Sequence, residues 1–375
     1  MRWSAADAKG FVRSNPMLCA SAVLCMMAVV LVRPPADVLG NIDVGMLTIL
    51  FCFMAAIAGL RSCGAFDAVA SRMLSGRMSV RTLCTILVIL PLACSTVITN
   101  DVSLITFVPF SILVLDMIGR KDLIAPVAVL QTLAANTGCM LLPFGSPHNL
   151  LIYSAYSLDA ADVMMTLAPY VAVGSVLTLA CCVMFPKDDA MVGDIGCGHG
   201  IDRRGCAILM VALAVCVASV LRIVPLWMPV TAVLAAVAVS SRRSILDVDY
   251  GLIATFVFLF ILVGTVTGMD AVGDAVRSIA SSEPMLSAFG FSQIVSNVPA
   301  ATLLSGFTDD WQDVLIGVNI GGFGTPIASM ASVITFGLCS GSGRVDMRRF
   351  AIMFLIMNAV MAAVLLATYI LMSGI

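Results

Sequence analysis

Two short polar turns interrupt long apolar sequence, Thr99-Asn100-Asp101 in the first half of the chain and Ser296-Asn297-Val298-Pro299 in the second. Asparagine is the informative residue in each. Its amide accepts through one atom and donates two hydrogens through the other, so it can pin a turn and still offer donors to an oxyanion. Asp101 adds a carboxylate deep in apolar sequence, where a charge is expensive unless it is paired, hydrated or protonated. That makes it a candidate for proton relay or cation binding; the alternative is an aspartate that only caps the helix 102–118. Each turn is followed by a glycine/proline break, Gly145-Ser146-Pro147-His148-Asn149 and Gly321-Gly322-Phe323-Gly324-Thr325-Pro326. Gly145, Gly322 and Gly324 permit the close backbone approach that a carbonyl or amide cradle needs. The half-helices that begin after the breaks can aim N–H dipoles at an anion, although a kink that suits helix packing needs the same residues. His148 places an imidazole, a group that titrates near neutral pH, inside the first break.

The candidate substrate- and ion-binding set is therefore Thr99, Asn100, Asp101, Gly145, Ser146, Pro147, Asn149, Ser296, Asn297, Gly322, Gly324 and Thr325, with Asp101 and His148 as candidates for proton coupling. Gln131, Asn136 and Asn319 are further polar positions within apolar runs, and hydrogen bonding between helices is the role expected of them. Thirteen cysteines lie mostly inside apolar runs and read as small apolar fillers. Cys197, His199 and Cys206 match no zinc spacing, so no metal is expected. No nucleophile-base set or phosphate loop is visible, and neither an enzyme nor a cofactor is expected.

Composition decides the solvent in which these groups work. With 61% hydrophobic residues, 11% charged residues and a mean hydropathy of +1.07, the chain departs from soluble domains, which carry about 25% charged residues. It reads as an integral membrane protein whose 375 residues leave room for roughly nine to eleven membrane elements. The formal charge of −2, with 20 dispersed Lys and Arg, excludes a nucleic-acid stripe. The expected partners are the lipid bilayer, a small anionic solute and a coupling cation, H+ or Na+.

The positioning elements follow from the apolar runs. Full crossings are expected at 17–32, 44–60, 123–157 (broken at 145–149), 163–185, 206–222, 226–241, 251–269, 314–338 (broken at 321–326) and 350–372. Residues 82–118 and 287–307 are expected to be re-entrant hairpins with the asparagine turns near their tips. The first run follows Arg2, Lys9 and Arg13 and ends at Arg33-Pro34-Pro35 without a small-residue cleavage pattern, so it reads as an uncleaved helix. The resulting fold class is an all-α polytopic membrane protein with about nine transmembrane helices, two of them broken, plus two hairpins in inverted-topology repeats. Its organisation is an N-terminal segment and first helix (1–43), repeat 1 (44–185), a cytoplasmic linker (186–205), a helix pair (206–250) and repeat 2 (251–375). With a cytoplasmic N-terminus, Arg61, Arg72, Arg77, Arg81, Arg120, Lys121, Arg242, Arg243, Arg344, Arg348 and Arg349 fall inside, and Asp159, Asp162, Asp270, Asp274, Glu283, Asp309, Asp310 and Asp313 fall outside. This agrees with the positive-inside rule. Matched breaks in two inverted halves point to a secondary transporter whose site lies at the repeat interface.

The run 99–109, then Gln131–Asn136 through Gly145–Leu150, resembles the ion transporter superfamily, which holds citrate and dicarboxylate carriers, arsenite/antimonite permeases and certain sodium/proton antiporters. Ser296–Ala300, Gly317–Gly322 and Ala328-Ser329 are similar to it in the second half. The resemblance implies two hairpin tips facing two unwound helices, with Asn100 and Asn297 as substrate contacts. Asp101 and Val298 stand where the sodium/dicarboxylate members carry threonines, which counts against that branch. The expected function is transport of a small, carboxylate-like anion or oxyanion across the plasma (cell inner) membrane, coupled to protons. A sodium/proton antiporter and an arsenite/antimonite efflux permease remain alternatives, and from another class a channel or the permease subunit of an ATPase-driven pump. Dimers are common in such families, so a homodimer is among the expected assemblies.

Overall fold

The computed structural model describes residues 16–31, 40, 42–66, 76–192, 201–240, 242–266, 277–278, 280 and 282–374. Its α-helices are α1 (Pro16–Leu31), α2 (Val44–Ser62), α3 (Val80–Cys94), α4 (Asn100–Met117), α5 (Ile124–Gly138), α6 (Pro147–Ala155), α7 (Ala160–Cys182), α8 (Arg203–Val220), α9 (Trp227–Ser240), α10 (Tyr250–Val266), α11 (Pro284–Val295), α12 (Asn297–Ser305), α13 (Trp311–Gly321), α14 (Met330–Ser342) and α15 (Met347–Ser373). Polar side chains start many of them. Asp43, Ser79, Ser146, Asp202, Asp310 and Asp346 each accept a first-turn backbone N–H, satisfying donors that a helix leaves open.

Contacts sort the connections into two ends of the molecule. At one end Asp188 joins the two legs of the first hairpin: its carbonyl accepts from Val80 N at 2.7 Å and its carboxylate from Arg120 at 3.0 Å. Asp116 in turn pairs with Lys121 at 3.4 Å and Arg344 at 2.9 Å. At the opposite end Tyr156 donates to Thr308 O at 2.6 Å, Tyr369 donates to the Asp313 carboxylate at 3.0 Å, and Ser154 donates to Asp43. Helices α3 and α4 therefore leave and return at one end, as a hairpin requires. Helices α11 and α12 have 12 and 9 residues, about 18 and 14 Å of helix, too short for a ~30 Å hydrocarbon core.

The halves are inverted in the structure. Helix α5 begins at the Arg120 end, breaks, and continues as α6 to the Tyr156 end, whereas α13 begins at the Asp310 end and α14 finishes at Arg344. The first leg of each hairpin runs parallel to the broken helix beside it. Leu92 and Ser95 lie against Gly138, and Met285 and Ser292 lie against Gly317 and Gly321. A Cβ on Gly138 would stand 2.1 Å from Leu92 O, so only glycine permits this approach. Pro91 within α3 supplies no N–H to Leu87 O, and buried Gln131 donates to that carbonyl at 2.8 Å and to Ser111 Oγ at 2.7 Å. Helices α8 and α9 pack on α2, and α1 on α10, as a frame around the repeat cores.

The broken helices and hairpins fall where the sequence places them. The linker is an exception to the all-α expectation: its residues Asp189–Val192 form a strand, β2, antiparallel to β1, Gly76–Ser79. The physical cause is the set of backbone groups just ahead of α3, which have no helical partner and find one across the ribbon. Cys197 and His199, with Arg72, Asp270 and Asp274, lie outside the described residues.

Two outcomes follow from this packing. In a background whose native cysteines do not react, single cysteines at positions 77 and 120 should label with an impermeant thiol reagent from the same side of the membrane. Labelling from opposite sides removes the first hairpin. Gly138→Ala should lower the unfolding temperature sharply, because a methyl group against backbone oxygen forces α3 away from α5; overpacking of this kind costs about 1–3 kcal/mol or more.

Candidate functional site

Each broken helix ends its first half with an asparagine that reaches into the other repeat. In α5, Asn136 Oδ1 accepts from Asn100 Nδ2 at 3.0 Å and from Ser329 Oγ at 3.3 Å, while its Nδ2 donates to Gly322 O at 3.3 Å. One amide thus joins the tip of the first hairpin to the second break. Asn100 uses its own oxygen to accept from Asp101 N at 3.0 Å.

In α13, Asn319 Nδ2 donates to Asn149 Oδ1 at 2.7 Å and to Leu315 O at 2.8 Å. With both hydrogens committed, Asn319 Oδ1 must accept, and its partner is His148 Nε2 at 3.2 Å. That nitrogen therefore carries a proton, which is assigned from the network. Ser146 Oγ lies 3.1 Å from the same nitrogen, and Asn149 Nδ2 donates to Cys139 O and Met140 O at 3.3 Å. The first break is thereby closed by side chains, with Ser146, His148 and Asn149 all buried.

The second hairpin turns at Ser296, whose φ of +78° and ψ of 156° lie in a region that costs a side-chain-bearing residue about 1–3 kcal/mol. The strain is held by Ala328 O, which accepts from Asn297 N at 2.9 Å and Ser296 Oγ at 3.3 Å. Gly324, with a φ of +143°, lies beside the Gln293 amide, where a Cβ would stand 2.1 Å from Gln293 Oε1. Gln293 donates to Gly321 O at 2.8 Å and accepts from Thr325 N at 3.0 Å, and Thr325 Oγ1 donates to Gln293 O at 3.0 Å. Gly324 and Thr325 thus brace the second break against α11.

A cavity of about 810 Å³ runs from the Arg120 end toward the first hairpin tip. Helix α2 contributes Leu50, Met54, Ala58 and Arg61 along one face, and α4 contributes Asp101, Val102, Ile105, Thr106, Pro109 and Leu113. Thr99, Asp101 and Pro147 form its inner part, and Arg61, Asp247 and Asp249 its mouth. Asp101 Oδ1 is buried without a hydrogen-bond partner, and the first-turn side-chain bond of α4 comes from Asn100, not from Asp101. On the opposite end a smaller cavity of about 320 Å³ lies between α6, α10 and α12.

Of the sequence-derived candidates, Thr99, Asp101 and Pro147 reach the large cavity; Asn100, Ser296, Asn297 and Gly322 sit around Asn136 and Ala328; Ser146, His148 and Asn149 gather at Asn319; and Gly145 lies against the backbone of Cys139. Sequence reasoning placed Asn136 and Asn319 outside the site, and Gln293 and Ser329 were not among its candidates. The available signal was positional: in both repeats an asparagine stands two residues before the glycine that ends the first half-helix, Gly138 and Gly321. Asn136→Ala should leave Asn100 Nδ2 and Gly322 O unpaired and cost about 1–3 kcal/mol of stability, read as a lower unfolding temperature of the purified protein. An unchanged unfolding temperature would show that water replaces this amide.

Comparison with known proteins agrees with this architecture. The citrate transporter family matches residues 12–309. A protein described as an uncharacterized transporter from Methanocaldococcus jannaschii is 31% identical over 264 residues, covering 69% of this chain and 71% of that relative. The inner membrane protein YbiR of Escherichia coli is 29% identical over 280 residues, 74% of either chain. Inverted repeats, paired breaks and a family match across most of the chain converge on one assignment: this membrane protein belongs to the citrate transporter family.

Proposed function

We propose that the protein is a secondary transporter that carries a small organic anion or oxyanion across the plasma membrane by alternating access, with the proton as coupling ion and Asp101 as the group that carries it. The observation that supports this reading is the unpartnered Asp101 oxygen at the inner part of the large cavity. An ionised carboxylate is costly in such a place, and binding a proton or a cation removes that cost. If the group is solvated in one conformation and desolvated in another, its proton binding differs between them, and proton and solute binding are coupled reciprocally.

Positive-inside orientation puts the end bearing Arg81, Arg120, Lys121, Arg344, Arg348 and Arg349 in the cytoplasm, with the N-terminus of α1 on the same side. The larger cavity then opens inward. The Ser154–Asp43 and Tyr156–Thr308 bonds hold the outer end together, so this arrangement is the inward-facing member of an alternating pair. Asn100, Asn297 and the break backbones supply donors for the solute, and His148 is the reserve coupling group. The same free carboxylate favours one second reading, sodium/proton exchange on Asp101 with no anion carried.

Asp101→Asn preserves size and hydrogen bonding but cannot titrate. In proteoliposomes it should still exchange solute down its gradient, with weakened pH dependence, while losing accumulation driven by a proton gradient. Full proton-driven accumulation by this variant removes Asp101 from coupling. Proton-coupled sodium flux in the absence of any anion establishes the second reading instead.

A further inference from the structure

The mouth of the large cavity carries three charged side chains, Arg61, Asp247 and Asp249, which the coupling step does not use. Arg61 is the only cation among the described residues lining the cavity. Although Asp247 and Asp249 line the same mouth, Arg61 makes no ion pair among the described residues. Asp249 is occupied otherwise, since its Oδ1 accepts from Leu252 N at 2.9 Å and caps α10. The three residues are fixed on one part of the frame. Ser62 Oγ lies 3.2 Å from Ser244 Oγ, tying the end of α2 to the turn that precedes Asp247. Between mouth and hairpin tip the cavity wall is apolar, with Leu50, Met54, Ala58, Ile105 and Leu252. An anion that leaves the mouth therefore meets no further cationic side chain among the described lining residues.

We propose that Arg61 is the docking cation of the cavity, capturing an anionic group of the solute at the cytoplasmic mouth before it moves to the hairpin tip. Arg61 lies in the last turn of α2, at the mouth, so it acts on capture. Because Arg61 belongs to the frame, it serves only the conformation in which this mouth is open. Asp247 and Asp249 act with the opposite sign, and the balance of the three sets how readily an anion enters. A planar guanidinium with several donors suits carboxylates and oxyanions alike.

This inference rests on the anion-transport reading, and a measurement that needs no transport separates the two. In a background without reactive native cysteines, Thr106→Cys on the cavity wall is modified with an anionic reagent (sulfonatoethyl methanethiosulfonate) and a cationic one (trimethylammonioethyl methanethiosulfonate). Arg61→Gln should slow the anionic reagent about 10-fold relative to the cationic one at low salt, and Asp247→Asn should shift that ratio the other way; both effects should shrink at high salt. Arg61→Lys should retain most of the wild-type ratio. On the solute itself, Arg61→Gln should raise the half-saturation concentration from the cytoplasmic side and leave the external one unchanged. Equal ratios in all variants, shifts of one sign for both Arg61→Gln and Asp247→Asn, or equal effects on both sides overturn the docking role. If no anion is transported by the wild type while the reagent ratios shift as stated, the transport reading fails and the charged mouth stands.

Discussion

The constraint on which this structure depends is that backbone N–H and C=O groups at membrane depth must be satisfied by the protein itself or by a water-filled cavity. Four interruptions of helix, two hairpin tips and two breaks, would otherwise expose such groups to lipid. Side-chain carboxamides serve both breaks and the proline in the first hairpin leg, while the second tip is held by the backbone oxygen of Ala328. Gln131 serves the carbonyl freed by Pro91, Asn149 takes two carbonyls of the first break, Asn136 takes Gly322 O and Gln293 takes Gly321 O. A carboxamide is suited to this work because one group donates and accepts at once without charge.

The same solution creates the link between the halves. Asn136 and Asn319 stand in comparable places in inverted repeats, and each bonds the other repeat's break, so the two unwound segments are not independent. Movement of one repeat core against the frame must carry both sets of hydrogen bonds with it or break them. The strained Ser296 belongs to the same logic, because its conformation persists only while Ala328 O holds the turn. The Oε1 of Gln131 and the Oδ1 of Asp101 are both buried without a partner, but of the two only Asp101 lines the large cavity, and an unsatisfied polar atom at a buried site is where function is sought.

Charge completes the arrangement at the surfaces. Basic residues gather at one end, where Arg120 and Arg344 also stitch the hairpin to the linker and to α14. Exposed ion pairs of this kind add little stability, of order 0–1 kcal/mol each. Their guanidinium and ammonium groups matter more for orientation in the membrane. The Arg120 guanidinium holds the Asp122 carboxyl below the usual carboxylate range, so this local pairing persists until strongly acid pH and does not switch in the physiological range.

Sequence alone settled the solvent, the hairpin and break positions, and the inversion of the halves. Those features follow from the number of apolar residues, from glycine and proline at fixed places, and from Lys and Arg in alternate connections, all of which are local. Asn100, Asn297, His148 and Asp101 were legible as candidates because polar residues are rare and costly in apolar sequence. Which of them meet was decided by tertiary structure, since the Asn136–Ser329 and Asn319–Asn149 contacts join residues 193 and 170 positions apart and no local pattern encodes such pairs. The ribbon between residues 76–79 and 189–192 was hidden for the same reason. Tertiary packing also decided that Asp101 keeps an unsatisfied oxygen while Asn136, of similar size and also in an apolar run, both donates and accepts: one lies against a cavity and the other between two repeats.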